Sequence, residues 1–194
     1  METRPWAERA VASPVYLLAD ARSTPPRVAA VLYADGEFGY CDYAPPDDLV
    51  GRFQARDDGQ IAGLEILAVA VGLSTWADRL RGRDIVIYSD NTVAEFCLKK
   101  GSAKALDHCA LIHAFWVSVL DLDVRVWIER VPTGSAARAR PRSRPVTSSA
   151  ADDNLADLPS REEYHLLRAL GARACQPRLA RAFLSMRLPE LAVW

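Results

Sequence analysis

The sequence predicts an α/β domain built on about five strands. Three observations predict this class. The pair Asp35-Gly36 lies between two apolar runs, residues 85–90 form an apolar run followed by helical patterns, and a last apolar run covers 124–131. An Asp-Gly pair in that setting is typical of a β-hairpin. Strands that alternate with helices favour parallel crossovers, and 194 residues are enough for about one domain.

The first half of the chain has three apolar runs of strand length and one longer run at helical spacing. These cover residues 15–19, 27–34, 38–43 and 60–80. The first run ends in Asp20, and the three short runs are predicted to form antiparallel strands. A proline-rich acidic loop at 44–51 precedes the long run, which is too long for a strand. It ends before Gly82, and a glycine just past the last periodic residue is typical of a helix end.

The second half alternates between the two patterns. Strands are predicted at 85–90 and 124–131, helices at 93–100 and 106–120, and a helix-like segment follows residues 154–161 through Leu170. The predicted domain therefore spans residues 14–170.

Three segments do not fit this pattern. Residues 1–13 are polar and mixed, which indicates an arm, and residues 171–194 form a basic C-terminal extension interrupted by Pro177. Residues 133–153 contain Ser, Ala, Arg and Pro without apolar periodicity, so a flexible Arg/Ser-rich loop is predicted there. The loop either grips phosphates or is disordered.

Composition excludes several classes of protein. No apolar run approaches the roughly 18 residues that span a bilayer, and the first eleven residues are too charged for a signal-peptide core. We expect a soluble intracellular protein without a membrane partner, in either cytoplasm or nucleus. The four cysteines have neither disulfide-framework nor metal-ligand spacing, so reduced thiols are expected.

Three acids stand where a carboxylate is costly. Asp20 and Asp90 each end an apolar strand, and Glu65 is the only charge in residues 61–73. Each also has an ordinary structural explanation: an aspartate at a strand end caps a turn, and Glu65 could lie on a partly exposed face or pair with an arginine. Together they would converge if the two strands are neighbours and the helix crosses them. Clustered carboxylates repel, and a hard divalent cation such as Mg²⁺ relieves that repulsion.

A fourth acid, Asp157, precedes a helix-like segment after the last strand. It either completes the acidic site or favours the dipole at a helix N-terminus.

The ordered motifs resemble the ribonuclease H domain of retroelement reverse transcriptases over about residues 15–167. The motifs are Asp20, Gly63-Leu64-Glu65, Tyr88-Ser89-Asp90-Asn91, Arg130-Val131-Pro132 and Asn154-x-Ala156-Asp157-x-Pro159-Ser160-Arg161. The resemblance implies a five-stranded mixed sheet of order 3-2-1-4-5, with the first three strands antiparallel, flanked by helices. It also implies an upstream polymerase domain as a possible partner.

The same resemblance implies an activity and a site. Asp20, Glu65, Asp90 and Asp157 would hold two Mg²⁺ ions, which Mn²⁺ can replace, and would hydrolyse the RNA strand of an RNA/DNA hybrid. Asp20 and Asp90 would be shared between both ions, Glu65 would lie on the leaving-group side and Asp157 on the nucleophile side. The chain departs from the family in two places: Arg22 stands where a small polar residue is common, and the segment before Asp157 has no histidine.

Five residues are predicted to contact nucleic acid: Lys99, Lys100, Lys104, Asn91 and Arg161. The lysines follow the helix after Asp90, where cellular members of the family have a basic protrusion for the DNA strand. The alternative is a solvated helix end, where basic charge favours the dipole.

Three functions fit the sequence. The first is a Mg²⁺-dependent ribonuclease H, within a retroelement polyprotein or derived from one. The second is a catalytically silent module of the same fold that binds nucleic acid or supports assembly, although the presence of all four acids argues against it. The third is a DNA nuclease or junction resolvase, because fold alone does not determine function.

Overall fold

A computed structural model describes residues 13–53, 55, 57, 60–131 and 154–184. The predicted arm up to residue 12, the whole predicted loop 133–153 and residues 185–194 of the predicted C-terminal extension lie outside the described residues. Within the described part of the chain, no helix is both long enough and apolar enough to cross a membrane.

Six strands form one mixed sheet in the order β5-β4-β1-β2-β3-β6. They are β1 (Val15–Ser23), β2 (Pro26–Ala34), β3 (Glu37–Tyr43), β4 (Asp84–Ser89), β5 (Arg125–Arg130) and β6 (Arg173–Ala174). Strands β1, β2 and β3 are antiparallel neighbours, and β4 and β5 run parallel to β1. From the β3 side, the first five strands follow the order 3-2-1-4-5, so the predicted ribonuclease H-like fold class is confirmed.

The sixth strand is the difference from the predicted sheet. It is two residues long and pairs in parallel with Gly39 and Tyr40 of β3. A strand of two residues is too short to show a hydrophobic period in the sequence. It forms because β3 offers a free edge with which its backbone can pair. Residues 171–184 thus contribute a strand and a helical turn to the described body.

The hairpin between β2 and β3 turns at Asp35-Gly36 as predicted. Both residues have positive φ, 56° for Asp35 and 81° for Gly36. Two such residues in succession match the right-handed twist of the flanking strands, which is why this dipeptide favours hairpins.

Eight helices or helical turns complete the described residues. They are α1 (Asp47–Val50), α2 (Ile61–Thr75), α3 (Ala77–Leu80), α4 (Thr92–Lys100), α5 (Leu106–Asp121), α6 (Asp157–Ser160), α7 (His165–Ala169) and α8 (Arg181–Leu184). The predicted helix 60–80 divides at the buried Trp76. The predicted segment through Leu170 also divides, because Glu162 takes a positive φ of 65° between α6 and α7.

Helix α2 is buried on nearly all sides because it lies between the sheet and the other helices. It packs on β1 and β2 with one side and on α4 and α5 with the other. Gly72 permits the closest approach: a Cβ there would lie 2.9 Å from Leu17 Cδ1 and 3.1 Å from Ala30 Cβ. A helix in this position must be apolar all round, which makes the charge of Glu65 within it costly.

Helices α6 and α7 lie on the opposite face of the sheet. Ala156 and Leu167 pack there against Val31 and Tyr40 in a second, smaller core. The segment that contains Asp157 is therefore anchored to β1, β2 and β3 from the side away from α2.

Candidate metal centre

The register of two neighbouring parallel strands places two of the predicted acids side by side. Leu18 of β1 pairs with Tyr88 of β4, and two residues further along each chain are Asp20 and Asp90. Strand β1 continues to Ser23 because β2 still pairs with it there, so Asp20 lies within the strand and not at its end as the sequence indicated. Asp20 therefore lies on the part of β1 that extends past Ser89, the last residue of β4.

Glu65 reaches these strands from the second turn of α2. Its Oε1 accepts a hydrogen bond from the Ala21 backbone N–H at 3.3 Å, and its Oε2 accepts one from the Ser89 hydroxyl at 3.3 Å. Glu65 as a whole is only 2% exposed. One carboxylate thus bridges β1 and β4, and each strand holds one of its oxygens.

Three acids converge at this point. Asp20, Glu65 and Asp90 each offer an oxygen, and these oxygens lie within 4.8 Å of one another. The residues come from a strand, a helix and a strand end that are far apart in sequence. Packing of α2 against β1 brings them together, as the sequence-based argument required.

Asp157 lies beside this cluster and forms an ion pair with Arg161. Its carboxylate raises the pKa of both Asp20 and Asp90, so it is close enough to act on both. Its Oδ1 accepts a hydrogen bond from Arg161 Nε at 2.7 Å. The three-acid group found among the described residues does not include it.

Burial and mutual repulsion make the acids hard to ionise together. Burial, followed by the charges of Asp90 and Asp157, raises the pKa of Asp20 to about 7, although the neighbouring Ser160 hydroxyl opposes the shift. Burial and then Asp20 and Asp90 raise the pKa of Glu65 well above its ordinary range. The pKa of Asp90 is also raised, mainly by burial and then by Asp157.

This donor set suits a hard divalent cation. Carboxylate oxygens are the ligands that Mg²⁺ and Mn²⁺ prefer, and a cation would offset both the burial and the repulsion that raise these pKa values. Asp20, Glu65 and Asp90 could therefore hold a metal ion.

The five residues predicted to contact nucleic acid divide into two groups. Asn91 and Arg161 lie next to the acids: Asn91 Oδ1 caps α4 by accepting from the Val93 and Ala94 N–H groups at 3.0 Å each, and Arg161 pairs with Asp157. The three lysines lie at and beyond the far end of α4. Lys99 pairs with Glu95 at 2.7 Å, Lys100 lies 5.8 Å from the centre of the Phe96 ring, and Lys104 is exposed.

Three polar residues that shape the site have no role that could be assigned from the sequence. Ser89, Asn154 and Ser160 are buried, and each forms a hydrogen bond with an acid or with the backbone of an acid or its neighbour. The available signal was their position: a serine within an apolar strand, and an asparagine and a serine on either side of Asp157. Their partners lie on other elements, so sequence spacing could not identify them.

No family model and no curated protein matches the sequence. Among solved structures, the chain is similar to the crystal structure of RNase H1 from the halophilic archaeon Halobacterium salinarum NRC-1. The TM-score is 0.44 with 19% sequence identity, over 66% of this chain and 92% of that chain. The fold class stated above depends on the strand order and not on this similarity.

Proposed function

We propose that this chain is a divalent-metal-dependent ribonuclease H that cleaves the RNA strand of RNA/DNA hybrids internally. The observation that supports the proposal is the convergence of Asp20, Glu65 and Asp90, whose oxygens lie within 4.8 Å of one another. They meet where strand β4 of a ribonuclease H-like sheet ends beside β1. The order of these acids along the chain and the elements that hold them agree with the resemblance seen in the sequence.

The proposed roles follow from the positions of the side chains. Asp20, Glu65 and Asp90, with Asp157 as the fourth acid, would hold two Mg²⁺ ions, which supply a water of lowered pKa and stabilise the departing 3′ oxygen. Ala21 N–H and the Ser89 hydroxyl orient the Glu65 carboxylate by holding one oxygen each. This leaves little freedom for Glu65 to rotate, so its ligand position is preorganised.

The proposed substrate contacts lie on two sides of the acids. Lys99, Lys100 and Lys104 would contact phosphates of the DNA strand, and Asn91 and Arg161 would contact nucleic acid near the acids. The exposed Lys99–Glu95 pair is weak enough to release for a phosphate. Groups beside Asp20 and Glu65 would read the 2′-hydroxyl, which distinguishes RNA from DNA.

The proposed origin is a retroelement reverse transcriptase, with the chain as part of such a protein or derived from one. The motif from Asn154 to Arg161 supports this because it resembles the corresponding motif of that family. An upstream polymerase domain would then be a partner in the full polypeptide.

A second candidate is a catalytically silent module that binds nucleic acid or supports assembly. The ion pair between Asp157 and Arg161 favours it, because it occupies the fourth acid with an arginine. The two candidates differ in one measurable property, which is turnover.

The test is incubation with a labelled RNA/DNA hybrid, duplex RNA and duplex DNA, each with Mg²⁺ or with EDTA. Wild-type protein should cut only the RNA of the hybrid, and only with Mg²⁺. Asp90→Asn should abolish cutting without loss of fold, since the amide keeps the shape but loses ligand strength. Asp84→Asn is the matched control, because Asp84 lies at the other end of β4 and pairs with Arg125.

Each contrary result has a distinct meaning. Hybrid binding without cutting would favour the silent module. Cleavage of duplex DNA would favour a DNA nuclease. Full activity in EDTA, or in Asp90→Asn, would refute the metal-dependent mechanism.

A further inference from the structure

The side chain of Asn154 joins the two segments that hold the first and the fourth acid. Its Nδ2 donates a hydrogen bond to the Ala19 carbonyl at 2.8 Å, and its Oδ1 accepts one from the Ala156 N–H at 3.2 Å. Ala19 directly precedes Asp20, and Ala156 directly precedes Asp157. Asn154 is 7% exposed, so this bridge is shielded from competing water.

Ser160 makes a second connection at the other end of the same turn. Its side chain is fully buried and its hydroxyl lies beside the Asp20 carboxylate. Its Oγ donates a hydrogen bond to the Asp157 carbonyl oxygen at 2.9 Å. The segment around Asp157 therefore contacts β1 on both sides of that acid.

These connections oppose a repulsion that would otherwise separate the acids. Asp157 and Asp20 both carry carboxylates that repel each other. Helix α6, which begins at Asp157 and ends at Ser160, is only four residues long. A single helical turn has little stability of its own, so its place depends on contacts with the rest of the fold.

We propose that Asn154 is a positioning residue that sets the distance between Asp20 and Asp157 for divalent-cation binding. The inference depends on the proposed function, because it assigns Asp157 a place at the metal centre. Residues that orient metal ligands through hydrogen bonds typically change metal affinity or activity by about 10- to 100-fold when removed. Asn154 would act indirectly, because it contacts the backbone next to Asp20 and Asp157 and not the carboxylates themselves.

The test is a calorimetric titration of the protein with Mn²⁺, together with hybrid cleavage measured as a function of Mg²⁺ concentration. Asn154→Ala should bind Mn²⁺ about 10- to 100-fold more weakly than wild type. Its kcat should be low at limiting Mg²⁺ and should recover as Mg²⁺ is raised, because the ligands themselves remain.

Ile85→Val is the matched control for lost stability. Ile85 is buried in β4 opposite Val15, at the end of β1 away from Asp20, so its truncation lowers the melting temperature without changing the surroundings of Asp20 or Asp157. It should keep the wild-type Mn²⁺ affinity and Mg²⁺ dependence. A merely structural role for Asn154 would make the Asn154→Ala protein behave in the same way.

The outcomes separate this inference from the proposed function. Folded Asn154→Ala with wild-type Mn²⁺ affinity would overturn the inference alone. A wild-type protein that binds no Mn²⁺ and cuts no hybrid would overturn both. If Asn154→Ala does not fold, Asn154→Ser takes its place, because its hydroxyl can still accept from the Ala156 N–H but is too short to reach the Ala19 carbonyl. Weaker Mn²⁺ binding is expected, and unchanged binding would overturn the inference.

Discussion

The buried acids should make the metal-free protein less stable as pH rises. The pKa of Asp20 is raised from an ordinary value of 3.8 to about 7 by burial first, with neighbouring acids adding to the shift. An acid with a raised pKa binds more protons in the folded than in the unfolded state. Its contribution to the free energy of unfolding is therefore present below pH 3.8 and is lost as pH rises through about 7.

The size of the effect follows from the shift. Each pKa unit corresponds to about 1.4 kcal/mol, so a shift of about three units is worth roughly 4 kcal/mol in total. Between pH 5 and pH 8, Asp20 alone should lower the free energy of unfolding by about 2.5 kcal/mol. For a chain of this length that is a fall in melting temperature of roughly 5–10 °C. Glu65 and Asp90 shift in the same direction and add to it.

The assay is thermal unfolding in EDTA from pH 5 to pH 8 for wild type, Asp20→Asn and the control Asp84→Asn. Asp20→Asn should lose about 2.5 kcal/mol of the pH dependence and be the more stable protein at pH 8, whereas Asp84→Asn should follow wild type. Saturating Mg²⁺ should restore wild-type stability more at pH 8 than at pH 5, because it binds the ionised acids. A melting temperature in EDTA that stays level or rises from pH 5 to pH 8 would refute the reasoning.

Three further predictions concern substrate and core. Replacing the three lysines by alanine should weaken hybrid binding and reduce the slope of log affinity against log salt by about 2 to 3 units; an unchanged slope would make Lys99, Lys100 and Lys104 ordinary surface charges. A hybrid whose RNA contains a short run of 2′-deoxy sugars should resist cutting within the run on a mapping gel, and equal cutting inside and outside it would contradict 2′-hydroxyl recognition. Gly72→Ala should cost about 1–3 kcal/mol in denaturant unfolding, because its Cβ would meet the core too closely. Gly63→Ala on the same helix, where the nearest atom would be 3.4 Å away, should be neutral or stabilising, and equal effects would contradict this account.

Much of the fold could be predicted from local pattern. The hairpin at Asp35-Gly36 was visible because both residues tolerate the positive φ that the turn requires. Helices α4 and α5 and strands β4 and β5 lie within a residue or so of their predicted positions. The end of β1 was not predictable in the same way, because pairing with β2 extends the strand past the last apolar residue to Ser23.

The candidate site was only partly visible in the sequence. Glu65 stood out as the single charge in an apolar helix, and Asp20 and Asp90 stood out after apolar runs. The hydrogen bonds that orient them were not visible, because Ser89 is 24 positions from Glu65 and Asn154 is 135 positions from Ala19. Such partners depend on which elements pack together.

The sequence alone determined the types and approximate positions of the first five strands and of the long helices, because hydrophobic period and turn chemistry are local properties. Only the tertiary structure decided that Asp20, Glu65 and Asp90 meet within 4.8 Å and that Asp157 pairs with Arg161 beside them. The physical reason is that strand register, helix crossing and burial together set the distances and pKa values of the acids. None of these is a property of a single segment.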